Sequence, residues 1–126
     1  MERITGIGGV FLRSDDPEAL LRWYETALGI EPDSDGVVVM RWMQADGRLA
    51  STVWSPFPAA TDYFGAVTQQ GMINYRVRDL DAMLAQLRDA GAVVDEHIEV
   101  MEFGRFGWAT DPEGRRFELW EPAEGF

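Results

Sequence analysis

Few side chains in this sequence are of a type that does chemistry alone, and their spacing narrows the field further. Cysteine is absent, which removes disulfides, thiol nucleophiles and thiolate metal sites. The single histidine, His97, sits in "VVDEHIEV" among Asp95, Glu96 and Glu99, where strand alternation places it on a solvated face. Ser14, Ser34, Ser51 and Ser55 stand at no motif spacing from it. The glycine run "GIGG" lacks both the spacing and the following helix of a phosphate loop. What remains is Glu118, set between Phe117, Leu119 and Trp120 in "RRFELWEP". A carboxylate in such a run either pairs with an arginine, here Arg76 or Arg13, or meets a ligand. Burial would raise its pKa into the range that general acid or base chemistry uses.

The elements that must position Glu118 repeat. "ITGIGGVFL" (4–12) reads as a glycine-interrupted strand. "DDPEALLRWYETALGI" follows as a helix, with Asp16 at the N-cap, Pro17 in the first turn and Gly29 as its stop. Its Leu20, Leu21, Tyr24 and Leu28 share one face. Strands over 37–43 and 49–55 are joined at Asp46-Gly47, a favoured two-residue hairpin turn. A stretch rich in Pro, Gly and aromatics then leads to a second strand, "MINYRVRD", and a second helix with Leu80, Met83, Leu84, Leu87 and Ala90 at helical spacing. "AVVDEHIEV", "RFGWATD" and "RRFELWEP" complete that half, the last two joined by a turn at "DPEGR".

The halves align. "VFLRSDDPEALLRWY" matches "INYRVRDLDAMLAQL" at a shift of 63, and "TVWSP" matches "ELWEP" at a shift of 66. The expected fold is therefore α+β: one domain over 1–126, with a βαβββ module at about 4–56, a linker at 57–71 and a second module at about 72–122.

Eleven Lys and Arg against 22 Asp and Glu give a net charge of −11, which repels phosphate backbones and anionic membranes and favours cationic compounds. Neither nucleic acid nor a membrane is expected as a partner. The opening "MERITGIGGVFL" lacks a leader pattern, and the expectation is a cytoplasmic protein.

The paired modules, the "DDPEALLRWYETALGI" and "RVRDLDAMLAQLRDAG" helices and the closing "GRFGWATDPEGRRFELWEP" together resemble the vicinal oxygen chelate superfamily, which contains glyoxalase I, extradiol dioxygenases, fosfomycin-resistance enzymes and bleomycin-resistance proteins. The resemblance implies a mixed sheet curled around a shared cleft, helices outside, and often a homodimer. It also implies a divalent metal held by one residue from the first and last strand of each module. Those positions carry over to Gly9, Thr52, Met72 and Glu118, of which only Glu118 is a good ligand. No cofactor is therefore expected, a divalent metal being disfavoured.

If these four face inward, alternation adds Phe11, Arg13, Trp54, Asn74, Arg76 and Trp120 to the cleft. Val10, Leu12, Ile73, Tyr75, Val77, Phe117 and Leu119 would then pack under the helices. Either Tyr63 and Phe64 of the linker, or Phe103 and Phe106 of "EFGRFGW", are placed to close over the cleft, the latter pair with Gly104 and Gly107 as hinges. Such walls suit a small aromatic or amphipathic compound. Two readings follow: a metal-independent binding protein, or a lyase or dioxygenase-type enzyme that uses an altered metal site or Glu118 as general acid or base.

Overall fold

A computed structural model describes all of residues 1–126. Strand β1 (Ile4–Ser14) leads into helix α1 (Pro17–Leu28), then β2 (Val38–Met43) and β3 (Leu49–Pro58). The second half runs β4 (Gly71–Val77), α2 (Leu80–Asp89), β5 (Val93–Val94), β6 (Glu99–Met101), β7 (Gly104–Thr110) and β8 (Arg116–Pro122). All eight strands form one curled sheet in the order β2-β3-β1-β4-β8-β7-β5, with β6 paired to β7 off that path. No helix is long and apolar enough to cross a membrane.

The helices form where the caps predict. Asp16 accepts from the Ala19 amide at 3.1 Å, and Asp79 from the Ala82 amide at 3.0 Å. Gly29 closes α1 with φ of 71°, a conformation that costs a side-chain-bearing residue steric strain. The two helices bury unequal faces. Leu80, Met83 and Leu84 of α2 lock with Val77 and Leu119 into a dry cluster, whereas α1 has no fully buried residue and its Leu28 lies exposed. The β2–β3 turn is wider than the expected two residues: Met43 and Leu49 are the last pair of β2 and β3, and the Gln44 amide reaches the Arg48 carbonyl at 2.8 Å. Asp111 and Arg115 close the β7–β8 turn in the same way, at 2.8 Å.

The modules meet along β1 and β4, which run antiparallel with Gly9 opposite Asn74. Each central strand takes its own module's last strand in parallel: Gly9 pairs with Val53, and Asn74 with Glu118. The offset is 44 residues in both ladders, so one shift must relate both β1 to β4 and β3 to β8; at the shift of 63 set by the N-caps Asp16 and Asp79, Val53 corresponds to Arg116, which shares the face of Glu118, and Thr52 does not. This corrects the alignment of "TVWSP" with "ELWEP", which placed Thr52 opposite Glu118. Because strand faces alternate at every residue, that slip of an odd number of residues, 66 against 63, turns β3 over.

Candidate functional site

The curled sheet encloses a cavity of about 810 Å³. Its walls come from both modules: Phe11 of β1, Ala50, Ser51 and Val53 of β3, Phe106 and Trp108 of β7, and Trp120 of β8. Phe11, Phe106, Trp108 and Trp120 belong to one buried cluster with Met72 and Phe64. Trp120 and Phe106 stack with ring centroids 5.9 Å apart and planes 4° from parallel.

Glu118 lies at the back of this cavity, 2% exposed. Three uncharged donors hold it. Asn74 Nδ2 donates to Oε1 at 2.5 Å, Trp108 Nε1 to Oε2 at 3.0 Å, and the Tyr63 hydroxyl also to Oε2. No arginine pairs with it, and Arg76 and Arg13 bond backbone carbonyls instead. Removal from water raises the Glu118 pKa, against the opposing pull of its three hydrogen bonds and the Arg116 charge. Burial and the neighbouring Glu118 charge likewise raise that of the Tyr63 phenol.

Each donor has a local cause. Trp108 stands directly opposite Glu118 in the β7–β8 ladder, and Asn74 beside it in the parallel β4–β8 ladder. Tyr63 arrives from the loop over 59–70, which Arg13 pins. The Arg13 guanidinium donates to the carbonyls of Gln69 (2.8 Å), Ala59 (2.7 Å), Thr61 (2.6 Å) and Ala66 (3.3 Å), and lies over the Phe64 ring. The expected linker is thus a folded cover, with Phe64 fully buried beneath it.

The structure brings Phe11, Asn74, Glu118 and Trp120 to the cavity, with Met72 packed in the cluster behind the wall. Arg13 is spent on the loop. Arg76 lies behind the wall, over the Trp120 ring at 4.8 Å. Thr52 and Trp54 point the other way, for the register reason given above. Thr52 Oγ1 donates to the Ile7 carbonyl at 2.5 Å and accepts from Trp42 Nε1 at 2.8 Å, while Trp54 packs on Tyr24 of α1 with centroids 4.4 Å apart. Their inward neighbours Ser51 and Val53 take the wall positions.

Two participants escaped the sequence reading. Trp108 could have been found by counting outward from the Asp111–Arg115 turn to the residue facing Glu118. His97 is 68% exposed at its side chain, yet its ring stacks on Trp108 at 5.8 Å and its Nε2 lies 2.9 Å from Glu99 Oε2, at the cavity rim. No local pattern reported that contact, which depends on the 95–98 segment folding back over β7.

The four carried-over metal positions do not fit a divalent cation. Gly9 offers no side-chain donor, the Thr52 hydroxyl is engaged on the sheet's other face, and Met72 is sealed in an apolar cluster. No three His, Asp or Glu side chains converge anywhere in the chain.

A sheet of two βαβββ-type halves curled round one aromatic cavity is the vicinal oxygen chelate fold, and residues 9–120 match the glyoxalase-like domain. The chain belongs to that family. It is similar to "Putative glyoxylase CFP32" of Mycobacterium tuberculosis (strain CDC 1551 / Oshkosh), 26% identical over 117 residues. The match takes in 89% of this chain but 42% of the relative, so the chain spans less than half the length of that protein. Among solved structures, a methylmalonyl-CoA epimerase in complex with methylmalonyl-CoA and NH4+ shares the fold at a TM-score of 0.71 and 19% identity, covering 97% of each chain. Methylmalonyl-CoA epimerase from Mycobacterium tuberculosis gives 0.61 at 24% identity, covering 95% of this chain and 89% of that one. A glyoxalase/bleomycin resistance protein/dioxygenase superfamily member from Vibrio splendidus 12B01 gives 0.57 at 12%, covering 95% and 98%.

Proposed function

We propose that this glyoxalase-like protein binds a small aromatic or amphipathic compound in its cavity, without a metal at the four carried-over positions. The observation that carries the reading is the wall itself: stacked Phe106 and Trp120, with Phe11 and Trp108, around about 810 Å³ of space. That volume falls in the usual range for small-molecule sites, and rings of this kind recognise flat apolar groups. Homodimerisation belongs to the same reading and is supported by exposed apolar side chains on the β2–β3 hairpin at one end of the sheet, Met40, Met43 and Leu49. So does a cytoplasmic location, in keeping with a cysteine-free chain.

A second reading is enzymatic, with Glu118 as general acid or base. It is favoured by the burial that raises the Glu118 pKa toward the range where a carboxyl group exchanges protons near neutrality.

The test is to measure the metal content of protein purified without chelator, wild type beside Glu118→Ala, and then to titrate aromatic and amphipathic compounds against tryptophan fluorescence. Saturable quenching in metal-free protein supports the binding reading. Stoichiometric metal that vanishes in Glu118→Ala overturns the metal-free reading and directs the search to lyase and dioxygenase chemistry.

A further inference from the structure

The groups around Glu118 have spent their polar hydrogens. Trp108 and Tyr63 carry one each, on the indole nitrogen and the phenol oxygen, and both go to Glu118 Oε2. Asn74 gives an amide hydrogen to Oε1 at 2.5 Å. What these groups leave unused is acceptor capacity. Asn74 Oδ1 is buried with no partner, lying over Gly8, where a Cβ would stand 2.2 Å from it. Tyr63 Oη keeps its lone pairs, because Trp108 Nε1, the one donor near enough to act on it, commits its hydrogen to Glu118 at 3.0 Å.

Of these acceptors, Tyr63 Oη is the one a ligand can reach. Asn74 and Glu118 are each 2% exposed, whereas Tyr63 is half-buried and lines the cavity. Its ring is held in place, stacked on Phe57 with centroids 5.6 Å apart and planes 13° from parallel, and edge-on to Trp108. Arg13 pins the loop beneath it.

The hydroxyl hydrogen is equally fixed. Burial and the Glu118 charge keep the phenol protonated. Turning its hydrogen toward the cavity would take a donor away from a buried carboxylate, a costly exchange. A hydroxyl that donates to a carboxylate is also polarised into a better acceptor. Tyr63 therefore meets the cavity as an acceptor and not as a donor.

We propose that Tyr63 Oη is the group that selects the ligand, and that the cavity's compound is an arene bearing an O–H or N–H, whose hydrogen meets Oη while Tyr63 keeps its own on Glu118. The proposal rests on the reading of the cavity as an organic-ligand site. It adds a rule of selection: a ring of the same size without a polar hydrogen covers Oη and leaves it unpaired.

Naphthol, methoxynaphthalene and fluoronaphthalene, all substituted at the β position, share one ring system. Only naphthol has a polar hydrogen; the ether keeps the oxygen, and fluorine is close to hydroxyl in size. Calorimetry should place naphthol about tenfold above both in affinity, the effect of one hydrogen bond out of water. Tyr63→Phe should bring naphthol down to the level of the other two. Equal binding of the three to the wild type overturns the selection by Tyr63 and leaves the cavity reading standing. Failure of all three to bind overturns the two together. A naphthol preference undiminished in Tyr63→Phe overturns the proposal as well. Should that variant not fold, the wild type decides by nuclear magnetic resonance: Overhauser contacts are expected between the Tyr63 ring and the naphthol protons flanking its hydroxyl, and their absence overturns the proposal.

Discussion

Trp108 and Glu118 face each other across the β7–β8 hairpin, and the indole nitrogen donates to the carboxylate at 3.0 Å. This pair joins the second module's hairpin to the floor of the cavity. Because Asn74 and Tyr63 bond the same carboxylate, one side chain ties together β4, β7, β8 and the 59–70 loop.

Deleting that carboxylate leaves the buried donors of Asn74 and Trp108, and the partly buried Tyr63 hydroxyl, without an acceptor. Glu118→Ala should therefore lower unfolding free energy by about 2–4 kcal/mol, from the usual cost of unmet buried polar groups. Glu118→Gln keeps the shape and an acceptor oxygen and should lose less than half as much. Urea denaturation of the two variants beside wild type decides; equal losses would mean that side-chain volume, not hydrogen bonding, is what matters there.

The raised pKa of Glu118 fixes the sign of a pH effect. In the folded chain the carboxyl binds its proton more tightly than in the unfolded chain, so its contribution to stability is fully present below the ordinary value of 4.5 and is lost as pH rises through the raised folded value. Stability of wild type minus Glu118→Gln should fall across that window and be flat below it. A difference that rises with pH would show that the folded pKa is depressed instead.

The register of β3 separates two tryptophans that resemble each other in sequence. Trp54 packs on Tyr24 under α1, so Trp54→Phe should cost about 1–2 kcal/mol of stability and leave ligand affinity unchanged. Trp120→Phe removes part of the cavity wall and should weaken binding of an aromatic compound by severalfold. Loss of affinity in Trp54→Phe would restore the opposite register.

Arg13 holds the loop that carries Tyr63. Arg13→Ala should speed amide exchange across residues 59–70 by at least an order of magnitude without comparable change in α2, since four carbonyl acceptors lose their donor. Arg13→Lys should rescue little, because an ammonium cannot reach several carbonyls in the fixed fork geometry of a guanidinium. Exchange measured by mass spectrometry reads both variants directly.

The proposed homodimer has its own check. Light scattering coupled to size exclusion should report a species of twice the chain mass, which Met43→Lys with Leu49→Lys converts to monomer. A wild-type monomer at micromolar concentration rejects that arrangement.

What the sequence determined by itself is local. Asp16 and Asp79 announced the two helices, Gly29 the end of one, and the apolar spacing of Leu80, Met83 and Leu84 the face that packs, because caps and helical periodicity act within one or two turns of chain. The placement of Glu118 in a buried run was equally legible, as were Phe11, Asn74 and Trp120 at the cavity. Tertiary structure decided which face of β3 turns inward, since a strand's alternation has only two states and the choice is made by its ladder to β1, 44 residues earlier in the chain. It also decided that Arg13 and Arg76 leave Glu118 to three neutral donors. Those partners lie 10, 44 and 55 residues from Glu118, where folding brings groups together that no short window of sequence places side by side.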